Sequence, residues 1–83
     1  MAWYVSSSRV ADVSPNANRA EWTNIYSPGS RVPFSGIYLC LGCNREVTVN
    51  NGDPFPPQNH HQHLADQGTV RWRMLVMTNT TGA

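Results

Sequence analysis

The sequence predicts a mainly β fold, a small antiparallel domain of three or four strands with an irregular N-terminal arm. Three observations predict it: short runs of strand-forming residues between 37 and 49, a tight-turn signal at Asn51-Gly52, and a longer alternating run from Val70 to Met77. Period-two alternation of apolar and polar residues is typical of a half-buried strand. With 83 residues the chain is one small domain, a size at which a disulfide, a metal or a partner chain commonly supplements the core.

Residues 1–30 are expected to form the irregular arm, because they are rich in Ser, Asn, Arg and Ala. Ser14-Pro15 is typical of a helix start, with Ser14 as the N-cap and Pro15 at the first helical position, so one short helix is predicted there. The tail, residues 78–83, is predicted to be disordered. The residues between, 31–77, make up the predicted β domain.

The strands of this domain are predicted from local patterns. Ile37 to Leu41 is a run of strand formers, and Glu46 to Val49 alternates apolar and polar residues before the Asn51-Gly52 turn. In the last run the two faces are expected to differ, since successive side chains of a strand point to opposite sides. One face carries Val70, Trp72, Met74 and Val76, and the other carries Arg71 and Arg73.

Charge is nearly balanced, with six arginines, no lysine, five acidic residues and a net charge of +1. Proteins that hold nucleic acid by its phosphates usually carry a clear basic excess, so the composition argues against that class. The start, Met1 to Ser6, is too short and polar for a signal peptide, and no apolar stretch approaches the ~20 residues of a membrane span. The sequence therefore predicts a soluble cytoplasmic protein without a membrane partner. In a reducing compartment, two cysteines favour metal ligands or a redox pair over a permanent disulfide.

Both cysteines lie at the predicted turn between the first two strands, in the run Cys40-Leu41-Gly42-Cys43. A Cys-x-x-Cys turn brings two thiolates to one side, as in a zinc knuckle, and Gly42 is expected to help the backbone adopt that conformation. Sixteen residues separate Cys43 from His60, which begins a cluster of three histidines behind the proline-stiffened segment 53–57. Two thiolates and two imidazoles suit tetrahedral Zn²⁺ and close the site to water or substrate.

The spacing of the histidines leaves two ways to complete such a site. His60-x-x-His63 repeats the cysteine spacing and makes a second knuckle, whereas His61 and His63 share one face if the segment is extended. The predicted metal ligands are Cys40, Cys43, His60 and His63, with His61 as the replacement for either histidine. The predicted cofactor is a structural Zn²⁺, which in small modules contributes on the order of 10 kcal/mol.

Two other chemistries are compatible with the cysteine pair. In a redox pair a strand precedes the Cys-x-x-Cys motif and a helix begins at it, but Asn44 to Val49 has the pattern of a strand. A catalytic zinc needs an open coordination position and a nearby general base. The acidic residues closest in sequence, Glu46 and Asp53, are interpreted as a strand-surface residue and a turn residue, so no enzymatic activity is predicted.

The chain contains a two-part pattern: PG-x-x-VP-x-SG-x-Y from Pro28 to Tyr38, and GD-x-FPP from Gly52 to Pro57. It resembles a group of small uncharacterised bacterial and phage-borne proteins, the YjzC-like proteins, over residues 27–77. Some of them look like zinc-ribbon variants with Cys-x-x-Cys after the SG-x-Y strand. The resemblance implies a compact zinc-ribbon-like β domain, carries over Cys40 and Cys43 only, and implies no activity. Many ribbons place a second cysteine pair after FPP, where this chain has histidines.

The leading interpretation is a non-enzymatic structural-zinc domain that binds another protein. Aromatic and arginine side chains are the usual anchors of such interfaces. The candidates are Trp3, Tyr4, Trp22, Tyr26, Arg71 and Arg73, for which satellite packing or a solvated strand face is the alternative. An exposed last strand also predicts pairing with a second copy, giving a homodimer. A nucleic-acid-binding zinc-ribbon module is the alternative function, disfavoured by the balanced charge.

Overall fold

The computed structural model describes residues 1–13, 18–64 and 66–82. Its three strands are β1 (Gly36–Cys40), β2 (Glu46–Val49) and β3 (Trp72–Met77), and they form one open antiparallel sheet in the order β2-β1-β3. Helix is limited, in the described ranges, to a 3-10 turn at Ser7–Arg9 and a four-residue helix, α1, at Ala20–Thr23. The predicted mainly β, antiparallel fold class is confirmed, and the cluster of cysteines and histidines described below makes it consistent with a small zinc-ribbon-like domain.

α1 is a single turn. Its N-cap is Arg19, whose side chain makes no capping hydrogen bond, and the backbone N–H of Asn24 donates to the carbonyl of Ala20 at 2.9 Å. The helix start predicted at Ser14 and Pro15 lies outside the described residues. The arm is joined to the sheet just after α1, where Tyr26 forms an isolated antiparallel bridge with Trp72.

The pairing of β1 with β3 contains an irregularity between Ile37 and Tyr38. Ile37 pairs with Val76 but Tyr38 pairs with Met74, so Leu75 has no partner opposite it. Such a bulge shifts the phase of the side-chain alternation. Val70, Trp72 and Met74, which were predicted to share one face with Val76, are buried, whereas beyond the bulge Met77 and not Val76 packs against the core.

The core is small and largely aromatic. The buried hydrophobic residues among those described are Val32, Tyr38, Cys40, Phe55, Val70, Trp72 and Met74. The Tyr38 and Phe55 rings meet edge to face at 4.8 Å, and Tyr26 stacks on Phe55 at 5.0 Å. Burial, with a smaller contribution from the nearby Tyr26, raises the pKa of Tyr38 to about 12. The Tyr38 hydroxyl donates a hydrogen bond to the Phe34 carbonyl. The phenol is therefore a neutral hydrogen-bond donor inside the core.

The segments on either side of the strands are held by backbone hydrogen bonds. Val32 N–H donates to the Asp53 carbonyl and Phe55 N–H to the Ser30 carbonyl, both at 2.8 Å, so the proline-rich segment runs beside the entry to β1. The turn predicted at Asn51-Gly52 is present, closed by Asp53 N–H on the Asn50 carbonyl at 3.1 Å. No helix within the described ranges is long and apolar enough to cross a membrane.

Candidate metal centre

The cysteine pair lies at the turn that leaves the central strand. Cys40 is the last residue of β1 and is fully buried, and Cys43 is half-buried three residues later. The Asn44 N–H donates to the Cys40 carbonyl at 2.8 Å, and the Cys40 N–H donates to the Arg45 carbonyl at 2.7 Å. These bonds close a tight loop, and Asn44 supplies its left-handed residue, with φ 64°. Both sulfurs are thereby fixed at one end of the sheet.

The histidines reach the same end of the sheet through an irregular loop. A turn closed by the His60 N–H on the Pro57 carbonyl at 2.9 Å precedes them, and the Leu64 and Gln67 pair closes the loop behind them through two hydrogen bonds. The Gln58 side-chain oxygen accepts a bond from the Val70 N–H at 3.2 Å, which ties the loop to the chain entering β3. Hydrogen bonds within the loop and one to the chain entering β3 therefore position the loop.

Four side chains converge, namely Cys40, Cys43, His61 and His63. Their candidate ligand atoms all lie within 4.8 Å of one another. The Cys40 sulfur is 3.3 Å from His63 Nε2, the Cys43 sulfur is 3.1 Å from His61 Nε2, and the two Nε2 atoms are 3.0 Å apart. The four residues form a Cys2His2 group positioned to hold a metal ion.

These distances are close to the edges of a coordination tetrahedron. Zinc–nitrogen bonds of about 2.0 Å and zinc–sulfur bonds of about 2.3 Å give edges of about 3.3 Å between nitrogens and about 3.5 Å between nitrogen and sulfur. The observed separations of 3.0, 3.1 and 3.3 Å are slightly shorter than these edges. The donor set, two sulfurs and two imidazole nitrogens, fits a closed four-coordinate site.

The His63 ring is oriented by a backbone carbonyl. His63 Nδ1 lies 2.7 Å from the Gly68 carbonyl oxygen, which can only accept, so Nδ1 carries the proton. In the neutral ring, Nε2 then presents its lone pair toward the Cys40 sulfur and His61. Histidines that bind metals almost always donate their other ring N–H in this way.

The electrostatic environment favours the metal-binding forms of two of the four groups. Burial disfavours the Cys40 thiolate, but hydrogen bonds from the backbone of Arg71, Gly42 and Cys43 and from the Cys43 thiol outweigh it, and the pKa of Cys40 falls to about 7. Burial, with a contribution from the Cys40 sulfur beside it, raises the pKa of the Cys43 thiol. Burial, with the neighbouring histidines and Arg45, lowers the pKa of His61, which keeps its ring neutral and able to offer a lone pair.

Gly42 has a different role from the one predicted for it. It has no left-handed φ; that conformation belongs to Asn44. A Cβ at Gly42 would instead lie 2.6 Å from His63 Cε1 and 2.6 Å from the Gln67 carbonyl oxygen. The glycine leaves room for the histidine ring against the cysteine turn, a long-range requirement that no local sequence pattern reveals.

The structure brings together three of the four ligands selected from the sequence and replaces the other. His60 is not in the group; it is exposed, and its Nδ1 lies 2.9 Å from Nδ1 of His61. The knuckle spacing His60-x-x-His63 therefore gives way to the alternative spacing His61-x-His63. The chain turns at 58–59 and then continues as irregular backbone, and in this conformation the rings of His61 and His63, but not the ring of His60, lie beside the two sulfurs.

The other residues selected from the sequence lie in varied environments. Trp3 and Tyr4 are exposed on the arm, at 95% and 67%, whereas Trp22 and Tyr26 pack against the core. The Arg73 guanidinium is exposed and donates to the Trp22 carbonyl at 2.9 Å, and Arg71 is half-buried. Of the two acidic residues near the site in sequence, Glu46 pairs with the N-terminal amine at 3.2 Å, and Asp53 is in the turn after β2.

Comparison with known proteins gives one informative relative. The chain is 45% identical over 82 residues to Protein L of Escherichia coli, an alignment that covers 99% of this chain and 93% of the relative. The chain belongs to the Protein L family. The name of the Escherichia coli relative specifies neither an activity nor a ligand. No family model matches the chain, so the resemblance to the YjzC-like proteins stays a prediction, and no solved structure matches it.

Proposed function

We propose that this chain is a small domain built around one structural zinc ion, held by Cys40, Cys43, His61 and His63. The observation that carries the proposal is the convergence of four soft and borderline donor atoms within 4.8 Å at one end of a small sheet. Two thiolates with two imidazoles are a donor set typical of structural Zn²⁺, whereas a four-thiolate iron site needs two more cysteines than the chain has.

A structural role is favoured over a catalytic one because the protein supplies four ligands. A catalytic zinc keeps a position open for water or substrate and works with a nearby base. Glu46, the acidic residue next to the cysteine turn, is paired with the N-terminal amine instead. We therefore propose that the chain is not an enzyme.

A redox function of the cysteine pair is also disfavoured by the local backbone. In the fully described stretch 41–64 the cysteines are followed by a turn and then by β2, and no helix starts at the pair. A nearby helix N-terminus is what lowers the thiol pKa in many dithiol redox proteins. The histidine nitrogens 3.1 and 3.3 Å from the sulfurs favour metal ligation.

The test is metal content of the untagged protein by elemental analysis, paired with a thermal melt with and without a strong chelator. We expect about one zinc per chain and loss of the cooperative melt when the metal is removed, because structural zinc contributes on the order of 10 kcal/mol in small modules. His61→Ala and His63→Ala are each expected to lower the zinc content well below one per chain. Protein that contains no metal and has the same melting temperature with and without the chelator would refute the proposal.

We propose in addition that the zinc domain serves to bind another protein through the N-terminal arm. Trp3 and Tyr4 support this: they are 95% and 67% exposed, next to the exposed Val5. Large aromatic side chains are common anchors at interfaces. A net charge of +1 without a lysine supports a protein partner over nucleic acid.

This second proposal is tested by affinity capture from nuclease-treated extract, comparing the wild type with a Trp3→Ala/Tyr4→Ala double variant. A protein held by the wild type and lost from the variant, with zinc content unchanged, is the expected result. Capture of nucleic acid in untreated extract, with affinity that falls steeply with salt, would favour the nucleic-acid alternative. An identical set of proteins on both baits would refute the role of the arm.

A further inference from the structure

The third histidine of the cluster makes a contact that the four-ligand site does not explain. His60 Nδ1 is 2.9 Å from His61 Nδ1, with the two rings nearly perpendicular, at 88°. Two imidazole nitrogens at this distance share one proton, so one donates and the other accepts. The arrangement of the site decides which.

His61 Nε2 is directed at the ligand cluster, 3.1 Å from the Cys43 sulfur and 3.0 Å from His63 Nε2. In the neutral ring of His63, Nε2 carries a lone pair, because Nδ1 holds the proton and donates it to the Gly68 carbonyl. When a cation lies between these atoms, His61 must also offer a lone pair at Nε2. Its proton is then on Nδ1, and the acceptor for that proton is His60 Nδ1.

We propose that His60 is the positioning residue of the metal site: its Nδ1 accepts the Nδ1–H of His61 and holds the His61 ring with Nε2 toward the ion. This role rests on the proposed zinc site. It is the counterpart, on His61, of what the Gly68 carbonyl does for His63. A partner on the far nitrogen fixes the tautomer and orientation of a metal-binding imidazole and raises its basicity.

A second contact holds the His60 ring in place for this task. It packs edge to face against the fully buried Trp72 of β3, with ring centroids 5.9 Å apart. The His61 ring contacts the same indole at 5.7 Å. The exposed His60 ring thus packs on the core through Trp72 and is hydrogen-bonded to His61, although it is not one of the four residues that converge on the metal site.

The test compares His60→Leu with His60→Asn. The two side chains are similar in size, but only asparagine places an acceptor oxygen on the same atom, Cγ, that carries Nδ1 in histidine. Zn²⁺ affinity is measured by competition with a chromophoric chelator, and the coordination sphere is read from the absorption spectrum of the Co²⁺-substituted protein. Melts of the Zn²⁺ forms establish that both variants fold.

We expect His60→Leu to weaken Zn²⁺ binding about 10- to 100-fold, with one ion per chain and an unchanged Co²⁺ spectrum. His60→Asn is expected to restore most of the loss. Equal affinity for wild type and His60→Leu, or an equal loss in both variants, would overturn the acceptor role while the zinc site stands. A changed Co²⁺ spectrum in His60→Leu would make His60 itself a ligand and also overturn it. A wild type that binds no Zn²⁺ would overturn the proposed function as well.

Discussion

At Gly42 the cysteine turn lies directly against the histidine loop. The space where its side chain would be is occupied by the His63 ring and the Gln67 carbonyl oxygen. The backbone oxygen cannot move without opening the loop that Leu64 and Gln67 close. The identity of this one residue therefore sets how near His63 comes to the two sulfurs.

Gly42→Ala is expected to weaken metal binding selectively. Inserting a methyl group into a filled space costs about 1–3 kcal/mol, which corresponds to a Zn²⁺ affinity roughly 5- to 150-fold lower if the histidine loop is what gives way. The measurement is competition with a chelator, together with circular dichroism spectra of the Zn²⁺-saturated proteins, which we expect to coincide for variant and wild type.

Gly52→Ala is the matched control for that variant. A Cβ at Gly52 meets nothing within 4 Å, although its φ of 89° makes alanine unfavourable there. This variant is expected to lose some stability and to keep wild-type Zn²⁺ affinity. If Gly42→Ala also kept it, the close approach of His63 would not control the site.

The spacing of residues along the chain predicted the two cysteine ligands of the candidate site, but it did not decide which two of the three histidines complete it. Cys40 and Cys43 are fixed by a short turn, so their convergence follows from local sequence. The choice between His60 and His61 depends on where the loop turns, and that is set by long-range bonds such as Gln58 to Val70. Local patterns carry no information about such bonds.

At the end of the β1–β3 pairing far from the metal site, the two backbones leave no room for a side chain on Gly36. Gly36 opposes Met77, and a Cβ at Gly36 would overlap the carbonyl oxygen of Val76. Because that neighbour is backbone, relief requires the two strands to separate. Cys40, at the other end of β1, pairs with Trp72 and is remote from this clash.

Gly36→Ala is thus expected to destabilise the sheet without emptying the metal site. We expect the free energy of unfolding to fall by about 1–3 kcal/mol, measured by denaturant titration with saturating Zn²⁺, while one ion per chain remains bound. Thr48→Ala, at an exposed position of β2, is the control and should change stability by less than about 0.5 kcal/mol. Loss of zinc from Gly36→Ala at wild-type stability would contradict this separation of the two ends.

Strand positions were predictable because the period-two pattern is local, and the observed strands lie within a residue or two of the predicted runs. The bulge at Leu75 was not predictable. Residues 74–77 around it are all apolar, so no alternation of apolar and polar residues indicates which of them face the core. The pairing with β1 decides which residue faces inward. Met77 is the residue that packs on the core.

The chain folds around a core of limited size that lies beside the metal site. Trp72 belongs to both: it is fully buried in the core, and the rings of His60 and His61 pack on it. Its indole N–H has no hydrogen-bond partner among the described residues, so the hydrophobic contact carries the packing there. In the proposed zinc form, removal of the ion is expected to loosen the packing of the histidine loop on Trp72.

Contacts between Cys40 and His63 and between Cys43 and His61 join residues 23 and 18 positions apart. With an ion at their centre, the intervening chain, β2 and the proline-rich segment included, becomes a closed ring tethered at one point. A ring of this kind has far fewer conformations available when unfolded than an open chain has. A protease that cuts the chain inside the ring leaves both fragments attached through the metal. The same cut made after the ion is removed leaves only the contacts of the small sheet to hold the fragments together.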